Sequence, residues 1–244
     1  MSRISQGPAV SPHGLFNTTD NNRVAAASGN DFKTDDGRDL AYVFAGAVDI
    51  PIGVAVQSSP LVAAHQNLTG TTQAVGDKTI TVTLGATAAT LNQYANGFLE
   101  VRTGTGAGQR LKIASNPAAS LSTTMVVTLE DAFVAATGTS SRFNLIADPY
   151  NGVVINPTSA TAAPIGVTVT SIPAGNGGYI QTSGLSTVLF DAVGSTAAAL
   201  QVTTSTTVAG AFTALDTTSD STPMLGFTAN AVAASQYGSV YLQL

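Results

Sequence analysis

The stretch GFLEVRT (Gly97–Thr103), GTGAG (Gly104–Gly108), QRLKIA (Gln109–Ala114) decides the fold. Two segments alternate apolar and polar residues at period two, the signature of half-buried strands. A five-residue glycine loop between them suits a β-hairpin. Simple pairing sets Val101 against Leu111 and Leu99 against Ile113 on the inner face. The same register puts Glu100 opposite Lys112 on the outer face, at the cost of Arg102 opposite Arg110.

Outward from this hairpin the chain repeats the same grammar. KTITVTL (Lys78–Leu84) places Ile80, Val82 and Leu84 on one face and three threonines on the other. Further strands are read at 40–44, 50–57, 124–130, 141–146, 152–156, 165–170, 178–182, 185–191, 200–204, 210–215, 224–228 and 239–244. Asn151-Gly152 is a turn signal. Helix is scarce: Thr90–Gln93 resembles a capping box opening about two turns, and 228–237 is a second short candidate. Both end in Gln-Tyr and lead into a strand. PIGVAVQSSP (Pro51–Pro60) and PIGVTVTSIP (Pro164–Pro173) agree at seven of ten positions. A spacing of 113 residues is too long for a solenoid, so the copies are expected at equivalent places in two sheets or two halves. The fold class is all-β: sandwich or barrel-like domains of short antiparallel strands, little helix, and an extended N-terminal arm. Residues 1–40, dense in Gly, Pro, Asn and Asp, form the arm. Residues 41–150 form a β-rich domain, and 151–244 a second, with 41–60 as a candidate partner of the latter.

Composition restricts function. Of 244 residues 9% are charged, with no Cys, no Trp, two His and two Glu. Acid–base and nucleophilic catalysis need titratable groups that this chain barely stocks. The net charge of −5 and nine scattered basic residues argue against nucleic acid as a partner; Arg102, Arg110 and Lys112 are the one local basic group. No apolar run is long enough for a membrane helix, and Met1–Val10 lacks the apolar core of a secretory signal. GTGAG is followed by Gln-Arg within a strand, so it is not a phosphate-binding loop. Asp31, Asp35, Asp36 and Asp39 surround Gly37 without the spacing of a calcium loop. His13 and His65 lack zinc spacing. Glu100 and Glu130 are the only glutamates to imagine as a glycosidase pair, and no Gly-x-Ser-x-Gly elbow is present. No catalytic, cofactor-binding or metal residue is therefore assigned. A weakly charged surface favours association.

The runs GDKTITVTLGATAATLNQYANGFLEVRTGTGAGQRLKIASN (Gly76–Asn116), IADPYNGVVINPT (Ile146–Thr158) and PIGVTVTSIPAGNGGYIQTSGLSTVL (Pro164–Leu189) resemble virion structural proteins of tailed bacteriophages. The similarity is to capsid decoration or cement proteins of marine and cyanobacterial short-tailed phages. It implies a non-enzymatic subunit, made in the host cytoplasm and carried on the virion. Such a subunit binds the major capsid protein across coat-subunit junctions as a homo-oligomer, with a trimer favoured. The alternative is a tail, head-fibre or adhesin module that binds a host glycan, for which Tyr150, Asn151, Tyr179 and Gln181 are the candidate cluster. A tail hydrolase is the third reading and requires acids converging in a cleft.

Overall fold

The computed structural model describes residue 29 and residues 31–191, 197–215 and 223–244. Its strands are β1 (Asp31–Lys33), β2 (Asp39–Ala45), β3 (Ala55–Gln57), β4 (Thr69–Gly70), β5 (Thr79–Thr83), β6 (Phe98–Thr103), β7 (Arg110–Ser115), β8 (Thr124–Leu129), β9 (Arg142–Ile146), β10 (Asn151–Ile155), β11 (Pro164–Thr168), β12 (Gly177–Leu189), β13 (Gln201–Thr204), β14 (Phe212–Ala214), β15 (Gly226–Thr228) and β16 (Tyr237–Gln243). The protein is all-β. Among the described residues the only helical element is one 3-10 turn, Ala63–His65, and no helix is long and apolar enough to cross a membrane.

The chain divides into two compact units. One comprises the described residues up to Ser59 together with those from Tyr150 to Leu244; the other is Pro60–Pro149. This corrects the boundary of the 41–150 domain, because β3 pairs with β10 and β11 rather than with the strands that follow it. The arm is corrected too. Residues 31–41 are a hairpin, with Asp31 opposite Ala41 and Lys33 opposite Asp39. The rest of the proposed arm, 1–28 and 30, lies outside the described residues.

Unit 60–149 is a six-stranded barrel in the order β4-β5-β8-β7-β6-β9. It closes where Leu68 and Phe143 exchange backbone hydrogen bonds of 2.8 and 2.9 Å. Alternation puts Ile80, Val82, Leu99, Val101, Leu111, Ile113, Met125, Val127 and Leu145 inside, as period two demands. The expected hairpin has the expected inner face but not the expected register. Leu99 opposes Leu111 and Glu100 opposes Arg110. The N–H of Val101 bonds Gln109 O while its carbonyl accepts from the N–H of Gly108, so two residues face one. The ladder itself is offset by two from the expected register, and an even offset preserves the faces. Lys112 therefore pairs at 3.3 Å with Glu130, just past the end of β8, rather than with Glu100. Arg110 lies over the Phe98 ring at 3.8 Å, away from the like charge expected of Arg102.

The other unit is two barrels sharing a strand. β2, β10, β3, β11 and β12 form one closed ring, since β12 also pairs with β2. Its core includes Val43, Ile50, Val56, Val153 and Ile180. From Ser183 onward β12 changes partner from β2 to β16. β16, β15, β13 and β14 then complete a second ring, closed by the Phe190–Phe212 bridge around Val188, Phe190, Val202, Phe212 and Leu242. The two segments read separately at 178–182 and 185–191 are thus one 13-residue strand. Its pivot is Gly184, at φ +88°, where a β-carbon would lie 2.9 Å from Gly37 O; only glycine suits both demands.

The two PIGV words do not occupy separate sheets. They lie side by side, antiparallel, with Ala55 opposite Val167. Each follows or opens a tight corner, and the corner recurs. An apolar bridge residue is followed three positions later by a left-handed residue: Ile50 and Gly53, Ala89 and Asn92, Ala119 and Ser122, Ile172 and Gly175. Corners meet in pairs: Ile50 with Ile172 at 2.8 Å both ways, and Ala89 with Ala119 at 2.9 Å both ways. Both helix candidates are such turns. The N–H of Thr90 does bond Gln93 Oε1 at 2.9 Å, as a capping box would. Asn92, at φ +56°, nevertheless ends any helical path. Ser235, at φ +58°, does the same within 228–237. Asn151-Gly152, read as a turn, opens β10 instead.

Candidate functional site

A cavity of about 400 Å³ sits at the seam of the two fused barrels, walled by Arg38, Ile52, Gly53, Gln181, Leu185, Ser186 and Tyr237 among others. The partner change in β12 builds it. A strand that leaves one neighbour for another strands carbonyl groups, which need donors. Gln181, fully buried, supplies them: its Nε2 donates to Ser183 O and Leu185 O, both at 3.0 Å. Two carbonyls fix which end of the amide is nitrogen, because oxygen cannot donate. Oε1 is then the free acceptor, and it has no hydrogen-bond donor among the described residues. Leaving such an atom unsatisfied costs about 1–3 kcal/mol.

The rim is aromatic and apolar. Tyr237 is 51% exposed and its hydroxyl donates to Ile52 O at 3.3 Å. Its ring stands against Gly53, where a β-carbon would be 2.7 Å from Cε1. Ile52 and Leu185 are about half exposed, and Leu185 faces exposed Tyr241 across β16. Arg38 bonds Asp36 Oδ2 through Nε at 2.9 Å. The Arg38 guanidinium, and after it the Thr34 hydroxyl, hold the Asp36 carboxyl down at about 2. The guanidinium in the wall therefore comes with its own counter-charge.

Of the residues singled out from sequence, Gln181 alone belongs to this cavity. Tyr179 is half-buried in an edge-to-face cluster with Phe32 at 5.4 Å and Tyr42 at 5.1 Å. Tyr150 packs on the first barrel's core, and Asn151 is exposed at the start of β10. Tyr237 and Ile52 each sit in a pattern that the sequence shows, the second Gln-Tyr corner and the first PIGV word, but neither pattern marks a site. Arg38 carries no such signal.

His65 is fully buried in the 60–149 barrel, with Nε2 2.9 Å from Thr87 O and Nδ1 bonded to the Tyr94 hydroxyl. The carbonyl can only accept, so Nε2 carries the proton and Tyr94 donates to Nδ1. Burial pushes the Tyr94 hydroxyl well above the ordinary tyrosine range. His13 lies outside the described residues. Glu130 is spent on Lys112. Around the acidic cluster Lys33 pairs with Asp39 at 3.1 Å. No group of three or more His, Asp or Glu among the described residues is placed to hold a metal ion.

The 60–149 barrel exposes large apolar side chains at both ends of the β5–β8 pair. Val75 (66%) and Val134 (75%) flank the Gly76-to-Phe133 hydrogen bond at one end. Leu91 (70%) and Leu121 (56%) cap the paired corners at the other. Comparison with known proteins finds no matching family model, no matching curated protein and no matching solved structure.

Proposed function

We propose that this chain is a non-enzymatic virion protein of a tailed bacteriophage, a decoration or cement subunit. It binds the major capsid protein on the outer head across coat-subunit junctions, as a homo-oligomer with a trimer favoured. The observation that carries the reading is the 60–149 barrel: a closed body with exposed valines at one end and exposed leucines at the other. Closure removes the free strand edges by which β proteins polymerise. Association is then left to side-chain surfaces, and apolar groups of this size in the open favour coverage by a partner. A rigid body that is adhesive at two ends bridges neighbouring subunits and adds buried area without chemistry. The word order of Gly76–Asn116, which supplies three of this barrel's six strands, is the same stretch that resembles phage head proteins.

The test is the purified particle. Quantitative mass spectrometry and imaging are expected to find hundreds of copies on the head. Six to eighteen copies confined to the tail would replace this reading with the tail or adhesin alternative. Binding to undecorated particles is expected to persist at high salt, where exposed charge pairs are screened. It is expected to fall at least tenfold, about 1.4 kcal/mol, when Leu91 and Val134 are both changed to Ser.

A further inference from the structure

We propose that the Leu91–Leu121 end of the 60–149 barrel is a two-fold contact surface for a second copy of this chain. The inference shares Leu91 with the virion reading and does not rest on it. The surface is itself a doublet. Ala88-Ala89-Thr90-Leu91-Asn92 and Ala118-Ala119-Ser120-Leu121-Ser122 are nearly the same word. They meet antiparallel at Ala89 and Ala119, with both backbone hydrogen bonds 2.9 Å long. An antiparallel pair has a local two-fold axis, which carries Ala89 onto Ala119 and Leu91 onto Leu121. The backbone keeps that symmetry past the bridge, since Asn92 and Ser122 both hold φ +56°. Each of these two residues is tied to the run that leads into the opposite corner. The N–H of Asn92 bonds Asn116 O at 2.9 Å, and the N–H of Ser122 bonds Gly85 O at 2.8 Å. Two leucines, 70% and 56% exposed, thus stand at equivalent positions on one braced frame.

Charge selects the occupant. No Asp, Glu, Lys or Arg lies between Lys78 and Glu100 or between Lys112 and Glu130, so both corners and their flanks are neutral. The opposite end differs, with Asp77, Lys78, Glu130 and Asp131 close in sequence to Val75 and Val134. A charged partner finds nothing to pair with at the leucine end. Copies of a chain with net charge −5 repel one another, and they approach at least cost through a face that carries no charge. A contact between like subunits must also be self-complementary, the same patch serving on both sides. The doublet meets that condition: turned to face a second doublet, it sets four leucines together and leaves no charge unpaired.

The experiment is analytical ultracentrifugation of the purified full chain, without particles, from about 10 µM to about 1 mM, a range suited to a small contact. A reversible doubling of mass with concentration is expected: monomer to dimer, or trimer to hexamer where a trimer already forms in solution. Leu91→Ser and Leu121→Ser are each expected to weaken that doubling at least tenfold, with amide NMR spectra unchanged away from the two corners. Val134→Ser, at the opposite end, is expected to leave it within about threefold. A single mass throughout the range, a doubling that either leucine substitution leaves intact, or one that Val134→Ser weakens equally would each overturn the proposal. So would a trimer that a leucine substitution dissociates. A monomer in which Leu91→Ser shifts amides of the fused barrels would overturn it too, because the chain's own second unit would then cover this end. No capsid enters the test, so a failure of particle attachment leaves this contact standing, and an absence of doubling leaves attachment through Val75 and Val134 standing.

Discussion

Single residues carry opposite signs of the same backbone constraint. Ala199 and Ser235 hold φ near +59° and +58° just before β13 and β16, a region that costs side-chain-bearing residues about 1 kcal/mol. Ala199→Gly and Ser235→Gly are therefore expected to raise stability by about 0.5 kcal/mol each, net of the unfolded-state entropy of glycine. Gly53→Ala is expected to lower it by more than about 1 kcal/mol, since it adds strain and displaces Tyr237. Urea midpoints check all three. Titration adds two more expectations. Asp36 is held down at about 2 from 3.8, first by Arg38 and then by Thr34. Its contribution is present above 3.8 and is lost as pH falls through about 2, and carboxyl NMR reads that midpoint directly. Tyr94 runs the other way: its hydroxyl is raised above 10.0 by burial. The associated stability is full below 10 and is lost as pH climbs beyond it. Tyr94→Phe is expected to flatten that alkaline loss while costing about 1–3 kcal/mol at neutral pH, because His65 Nδ1 then lacks its donor.

At the scale of elements, the β6–β7 hairpin separates what faces a strand shows from what register it takes. Val101→Asp buries an unpaired charge in the barrel and is expected to cost on the order of 3 kcal/mol or more. Glu130→Gln removes only the exposed pair with Lys112, and is expected to cost at most about 1 kcal/mol. Thermal unfolding of the two variants gives the ranking. The faces were legible in the sequence because alternation encodes them directly: Leu99, Val101, Leu111 and Ile113 turn inward under either register. The register was not legible, because it depends on how the glycine loop packs against Ala136 and Ser141 and leaves no mark at period two. The same limit applies to the corners. Thr90 and Gln93 make the hydrogen bond of a helix start, yet Asn92 turns left-handed because Ala89 is tied to Ala119, a contact thirty residues away. The candidate site was legible only in part. Gln181 was visible as an amide in a strand, whereas Tyr237 and Ile52 join it only through the partner change in β12, a property of topology rather than of spacing.

At the scale of the molecule, the 60–149 barrel reads as an insertion between two adjacent strands. β3 ends at Gln57 and β10 begins at Asn151, and the two pair antiparallel with Val154 opposite Gln57. Ser59 Oγ lies 3.6 Å from where a β-carbon of Gly152 would be, so the chain leaves and re-enters the fused barrels at one place. The barrel closes on itself by Leu68 and Phe143 near its own two ends and buries its own core. A segment with a private core and adjacent ends folds independently of its host. Residues 60–149 alone are therefore expected to unfold cooperatively, with native-like amide dispersion. The remainder, with Ser59 joined to Tyr150 through a short glycine-serine link, is expected to keep the NMR shifts of β12 and β16. The separation also localises the attachment surface proposed. The isolated barrel carries Val75, Val134, Leu91 and Leu121, and is expected to compete with the whole chain for undecorated particles. The remainder is expected to compete poorly. A folded 60–149 segment that fails to compete would move the attachment surface to the fused barrels. A segment that stays unfolded would mean that its core depends on the rest of the chain.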